Sequence, residues 1–107
     1  MKTFSHISDL SALRERLGKH YFEFLRVPAM SAGVYVLPVG GEDTQSPHHE
    51  DEMYYVVSGR ARMKVGDENQ SVSTGSVIFV AANEKHIFYD IQEELTVLVF
   101  FGPAETT

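Results

Sequence analysis

The sequence contains no cysteine among its 107 residues. Disulfide frameworks, zinc sites built on thiolates and thiol nucleophiles are therefore excluded. Any metal bound by this chain must instead be held by imidazole and carboxylate groups, and five histidines and fifteen acidic residues are available.

Basic residues and long apolar runs are also scarce. Nine Lys and Arg against fifteen Asp and Glu give a net charge of -6, whereas contacts to phosphate need clustered Lys and Arg. We therefore expect no nucleic-acid partner. The first residues lack the apolar run of a signal peptide, and no later stretch approaches the length of a membrane span. These absences predict a cytoplasmic protein without a membrane partner.

The length corresponds to one domain, and its first part, residues 1–20, is predicted to be a helical extension. Ser8 is a suitable N-cap, and Asp9 suits the positive end of a helix. Leu10, Leu13 and Leu17 have helical spacing, and Gly18 is a suitable stop. We expect this helix to pack on the rest of the domain or on a partner subunit.

Residues 21–107 are predicted to form a single all-β domain, because the apolar period changes to two after residue 20. Met63 and Phe79 are interpreted as core residues. Short turns, including Ser58-Gly59, separate eight short strands, which is typical of a sandwich or barrel. The predicted strands are Tyr21–Arg26, Gly33–Leu37, Met53–Ser58, Arg60–Val65, Asn69–Ser73, Val77–Ala81, His86–Ile91 and Leu95–Phe101.

A long loop, Pro38–Pro47, leads into a segment rich in histidine and carboxylate. Alternation along an extended chain places His48 and Glu52 on one face and His49 on the other. Another histidine, His86, opens a later strand. Two imidazoles and one carboxylate meeting inside a barrel would leave open positions on a metal, and such a set suits Fe(II) and related ions.

These residues give the chain a resemblance to the small single-domain cupins, of the cupin 2 and RmlC-like type. In the first cupin motif His48 and Glu52 stand at the right spacing before Gly59. In the second motif Gly75 and His86 match. This motif is altered at three positions, Ala81 for Pro, Asn83 for Gly and Asp90 for Asn. The resemblance implies a jelly-roll barrel of the double-stranded β-helix type, with one short N-terminal helix added.

The leading histidine of the first motif is replaced by Ser46. The resemblance therefore implies a reduced ligand set of His48, Glu52 and His86 for a divalent transition metal: Fe, Mn, Ni or Zn. An alternative is that His49 replaces the missing histidine, although it lies on the opposite face of the predicted strand.

The function implied by the resemblance is that of a small metal-dependent enzyme acting on a small oxygenated molecule. Dioxygenase-like, isomerase-like and decarboxylase-like chemistry all stay open. Tyr54 is the only candidate general base, and Tyr54, Phe88 and Asp90 are predicted to line the pocket. The alternatives are a non-catalytic module that binds a ligand or sugar, with a structural metal, and a barrel without metal.

The number of aromatic residues predicts a homodimer. Phe100 and Phe101 are adjacent and must point to opposite faces of the last strand. Since a small barrel cannot bury both faces of every strand alone, we expect an outer sheet face to pair with a second copy. The resemblance also implies a dimer.

Overall fold

A computed structural model describes residues 3–106, and its one helix, α1, spans Ile7–Arg16. The prediction that Ser8 caps this helix is wrong, because His6 is the N-cap and its Nδ1 accepts a hydrogen bond from the backbone N–H of Ser8. Gly18 follows the C-cap Leu17 at φ +66°. This left-handed conformation favours glycine and confirms the predicted stop.

The remaining elements are six strands, not eight. Each of two predicted pairs of strands is a single long strand, since the predicted turn at Ser58-Gly59 is a bulge in β3. Gly59 has φ +103°, and the pairing register shifts on both sides of it. Asp90 likewise adopts φ +51° within β6. The strands are β1 (Tyr21–Val27), β2 (Met30–Leu37), β3 (Asp51–Val65), β4 (Glu68–Ser73), β5 (Val77–Val80) and β6 (His86–Gly102).

All strand pairs are antiparallel, in the order β1-β2-β6-β3-β4, with β5 also paired to β3. The central pair of the sheet is β3 with β6, the two longest strands. They pair from Asp51 opposite Gly102 to Val65 opposite His86. The predicted all-β class with one short helix is confirmed. No helix in residues 3–106 is long and apolar enough to cross a bilayer.

The inner face of the sheet forms the hydrophobic core. Its central residues are essentially without solvent contact, among them Tyr54, Val56, Phe88, Leu95 and Val97. Met63 is buried as predicted, but Phe79 is not a core residue, since it is 62% exposed. Phe79 pairs with Met53, whose side chain is also exposed, so both lie on the outer face of the sheet.

Part of the outer face is covered. The N-terminal segment packs there, and Ile7 and Leu10 share a groove with Phe24, Leu98 and Phe100. Beyond this cover the outer surface of β3 and β5 is apolar and exposed, and we call Met53, Tyr55, Val77 and Phe79 the outer patch.

Candidate metal centre

Three separate segments bring His48, Glu52 and His86 together. Glu52 lies near the start of β3, His86 opens β6, and His48 lies at the end of the long loop before β3. Each residue offers one ligand atom, and these atoms lie within 4.8 Å of one another. The Glu52 Oε1 atom is 3.3 Å from His86 Nε2 and 3.9 Å from His48 Nε2.

The His86 ring is fixed in a tautomer that suits a ligand. Its Nδ1 lies 3.0 Å from the backbone carbonyl of Glu84, which can only accept a hydrogen bond. Nδ1 therefore carries the proton, and Nε2 presents a lone pair to Glu52. The side chain is completely buried. Ligand histidines are commonly oriented by such a contact to their other nitrogen.

The His48 ring is oriented in the same way by a carboxylate. Its Nδ1 lies 3.0 Å from Glu105 Oε2, and its ring packs edge-on against Phe101 at a centroid distance of 4.8 Å. Because the carboxylate accepts the proton of Nδ1, the lone pair of His48 is on Nε2. That atom faces Glu52 and lies 2.9 Å from Gln45 Oε1.

The polar atoms of this cluster lack the partners that buried groups require. Both carboxylate oxygens of Glu52 and the Nε2 atom of His86 are buried without a hydrogen bond. Burial raises the pKa of Glu52 to about 8, since desolvation penalises its charged form. Buried polar atoms that converge without partners are satisfied by a cation, which would displace the proton from Glu52 on binding. Imidazole nitrogen and carboxylate oxygen therefore fit a divalent transition metal.

Tyr54 lies beside the cluster and is fully buried, with its hydroxyl unpaired. Its ring centroid lies 6.0 Å from that of His86 and 4.9 Å from that of Phe88, which it contacts edge-on. Burial, together with the neighbouring carboxylate of Glu52, raises the pKa of Tyr54 well above its usual value. The phenol is protonated at neutral pH, so it is a hydrogen-bond donor and not the general base suggested by the sequence.

Other predicted candidates lie outside the cluster. His49 is exposed, and its Nδ1 lies 3.2 Å from Asn83 Oδ1. Asp90 is exposed at the bend in β6, within reach of the side chain of Gln92, so it does not line the pocket. Asn83 has φ +66°, which confirms that asparagine takes over a glycine conformation here, and its N–H donates to the carbonyl of His48.

Asp43 is a residue of the site that sequence reasoning missed. It is buried, and its Oδ1 accepts hydrogen bonds from the Tyr35 hydroxyl (2.9 Å) and from the backbone N–H of Gln45 (3.2 Å). Its Oδ2 accepts from the backbone N–H of Phe88. Asp43 thereby ties the long loop to β2 and β6, which fixes the approach of His48. No spacing rule connects residue 43 to these partners.

The C-terminal segment after β6 was also missed, and it folds back over the cluster. The backbone N–H of Glu105 donates to Ser31 Oγ at 2.9 Å, and Arg26 donates to the Glu105 carbonyl at 2.7 Å. Thr106 donates to Glu50 Oε2 at 2.7 Å. Glu50, which lies between His48 and Glu52, is buried. These contacts hold the Glu105 carboxylate against His48.

A cleft of about 620 Å³ reaches the centre from one side. Its lining includes His86 together with Gln45, Pro47, Lys64 and Lys85. The size accommodates a small molecule.

Comparisons with known proteins agree with this architecture. Residues 33–101 match the family model of the cupin domain of the Cupin_2 type. An uncharacterized protein of Streptomyces coelicolor is 46% identical over 106 residues, which is 99% of this chain and 100% of the relative.

Two solved structures show the same fold. A protein from Thermus thermophilus aligns over 96% of this chain and 99% of its own, with a TM-score of 0.76 and 18% identity. An RmlC-like cupin family protein from Methanocaldococcus jannaschii, described as a double-stranded β-helix, has a TM-score of 0.70 and 16% identity. The alignment covers 78% of each chain.

Proposed function

Because this chain belongs to the cupin family, we propose that it binds one divalent transition metal ion through His48, Glu52 and His86. We further propose that this centre acts on a small oxygenated molecule that enters through the cleft. The observation that carries the proposal is that the Glu52 carboxyl group and His86 Nε2 are buried 3.3 Å apart without hydrogen-bond partners.

The electrostatic surroundings support a cation. The carboxylates of Asp43, Glu50 and Glu52 are buried around the two imidazoles, and Glu105 lies directly on His48. Among residues 3–106, no Lys or Arg forms a salt bridge with any of these four carboxylates. Acidic groups that no basic side chain pairs with favour a cation nearby.

When bound, such a metal would polarise the oxygen of a carbonyl or enolate. The protein supplies the rest. His48 and His86 are held by Glu105 and by the Glu84 carbonyl, so their Nε2 atoms stay directed at one point. Tyr54 keeps its proton and can donate a hydrogen bond beside Glu52. The aromatic wall of Phe88 and Phe101 excludes water on the inner side.

The test of metal binding is a titration of untagged, chelator-treated protein with Mn²⁺, Ni²⁺, Zn²⁺ and anaerobic Fe²⁺. We expect one equivalent of metal to bind to the wild type and to the His49→Ala variant. We expect none to bind to His86→Ala. If the wild type takes up less than about a tenth of an equivalent of every metal, the proposed centre does not exist.

Catalysis is tested on the loaded protein. Oxygen consumption, or conversion under argon, is followed with small chelating molecules such as catechols and diketones. Turnover that His86→Ala lacks supports an enzyme. Reversible binding of these molecules without turnover supports the alternative, a ligand-binding module. The deep burial of Glu52 is compatible with that alternative as well.

We also propose that two copies of the chain associate through the outer patch. Met53 lies opposite Phe79 and Tyr55 opposite Val77 on neighbouring strands, so the four side chains form one continuous apolar surface. An acidic chain repels its own copy, and an uncharged surface is where that repulsion is smallest. A cytoplasmic location stays a prediction from the sequence.

A further inference from the structure

In the loop before β3, Gln45 points inward. It lies next to Ser46, the position at which the cupin motif usually has a histidine. Ser46, at the motif position itself, is exposed. The hydrogen bond from the Gln45 N–H to Asp43 fixes the loop one residue earlier, and Pro47 follows. The amide of Gln45 then lies next to His48, with its Oε1 atom 2.9 Å from Nε2 and its Nε2 atom buried.

We propose that Gln45 supplies its amide oxygen as the fourth protein ligand of the metal, in place of the histidine that Ser46 does not provide. This inference rests on the proposed metal centre and adds a residue to it. The centre would then have two nitrogen and two oxygen ligands from the protein, His48, Glu52, His86 and Gln45.

Two of the separations between these groups match neighbouring positions in one coordination shell. Metal–ligand bonds of about 2.0–2.2 Å place neighbouring ligand atoms roughly 3 Å apart. The Gln45 oxygen is 2.9 Å from His48 Nε2, and Glu52 Oε1 is 3.3 Å from His86 Nε2. The amide oxygen is therefore as close to one ligand histidine as the Glu52 carboxylate is to the other.

The protonation of His48 gives a second reason. His48 Nδ1 lies 3.0 Å from Glu105 Oε2, and in the neutral tautomer that donates to this carboxylate Nε2 has no proton to share with the Gln45 oxygen. Two lone pairs 2.9 Å apart repel unless a cation lies between them, and amide oxygen is a suitable ligand for Mn²⁺ and similar ions. An amide turned the other way, with its nitrogen donating to His48, would be the orientation of a residue that only positions the ring.

The test uses Co²⁺ as the probe, because its visible absorption reports the number and type of its ligands. Gln45→Leu removes the oxygen at similar volume, Gln45→Glu keeps an oxygen and adds charge, and Ser46→Ala is the matched control on the neighbouring exposed side chain. We expect Gln45→Leu to weaken Co²⁺ binding by at least about tenfold and to change the absorption bands. We expect Gln45→Glu to bind at least as tightly as the wild type and Ser46→Ala to be unchanged.

Two outcomes would overturn the inference. One is a Gln45→Leu protein with wild-type Co²⁺ affinity. The other is a Gln45→Leu protein with weaker binding but unchanged absorption bands, which would make Gln45 a positioning residue only. Gln45→Glu, which conserves the shape, separates loss of a ligand from misfolding of the loop. Failure of the metal centre itself is distinguishable, since the wild type would then bind no Co²⁺.

Discussion

The two faces of β3 depart in opposite ways from the usual burial of apolar side chains and exposure of charged ones. On the inner face Glu52, a carboxylate, is almost completely buried and lacks a hydrogen-bond partner. On the outer face the next residue, Met53, is apolar and 44% exposed. A buried unpaired polar group and an exposed apolar patch are each unfavourable in isolation. Where both occur on one strand, each face indicates an absent partner, a cation inside and a second protein surface outside.

The largest expected effect is a difference in stability between a substitution on the inner face and one on the outer face. Phe88 is fully buried on the inner face of β6, and its neighbour Ile87 is 41% exposed on the outer face. We expect Phe88→Ala to lower the free energy of unfolding by about 3–5 kcal/mol, and Ile87→Ala by less than about 1 kcal/mol. Urea denaturation of both variants measures this. Equal losses would mean that the inner and outer faces are assigned wrongly.

The next effect concerns the outer patch. A charge at its centre, Phe79→Lys, is expected to weaken the dimer at least about 30-fold, equivalent to about 2 kcal/mol at a central interface position. Analytical ultracentrifugation over a dilution series measures the dissociation constant. Val39→Lys, on an exposed loop residue outside the patch, is the control and should dissociate like the wild type. A wild type that is monomeric at micromolar concentration contradicts the proposed dimer.

A smaller effect is the pH dependence of the metal-free inner face. The pKa of Glu52 is raised from 4.5 to about 8 in the folded protein, so between these values the folded state binds a proton that the unfolded state has lost. Stability therefore falls with rising pH, by up to about 1.4 kcal/mol per pH unit. His48 has the opposite sign, because its lowered pKa makes stability rise with pH up to about 6.5.

From pH 6.5 to about 8 we expect the contribution of Glu52 to dominate, and urea denaturation with chelator present should show the fall in stability. Glu52→Gln has no ionisable group and should remove most of it. The same slope in wild type and variant would show that the carboxyl is not desolvated as the structure indicates.

The smallest effect concerns the orientation of His48 by the C-terminal segment. Glu105→Ala removes the acceptor for Nδ1 and is expected to weaken Mn²⁺ binding about tenfold. Glu105→Gln keeps an acceptor oxygen and should lose less, and Glu94→Gln, at an exposed position of β6, should lose nothing. Competition with a chromophoric chelator measures the affinities. Wild-type binding by Glu105→Ala would limit Glu105 to holding the segment in place.

Much of the fold could be predicted because the apolar period changes once, after residue 20. The two long strands could not, since Gly59 and the polar run Gln92-Glu93-Glu94 interrupt the pattern as a turn would, although each lies within a continuous strand. Phe79 was misassigned for a related reason, because alternation identifies two faces but does not say which one is covered. On β5 the apolar residues Val77 and Phe79 face outward.

The residues of the candidate centre also fall into two groups, those that the sequence predicted and those that it did not. His48, Glu52 and His86 are marked by spacing within two short motifs, and the structure brings them together. Asp43, Gln45 and Glu105 reach them from the loop and the C-terminal segment. Their positions depend on hydrogen bonds between segments distant in sequence, such as Asp43 with Phe88 and Glu105 with Ser31. No local pattern encodes those contacts.

Metal occupancy of the inner face is tested most directly by crystals grown with Mn²⁺ and measured with X-rays tuned for its anomalous scattering. The arrangement of acceptor atoms predicts one anomalous peak per chain, enclosed by His48 Nε2, Glu52 Oε1 and His86 Nε2, with the Gln45 oxygen next to it. A map without a peak at that point, or with metal only at exposed groups such as His49, would contradict the metal centre.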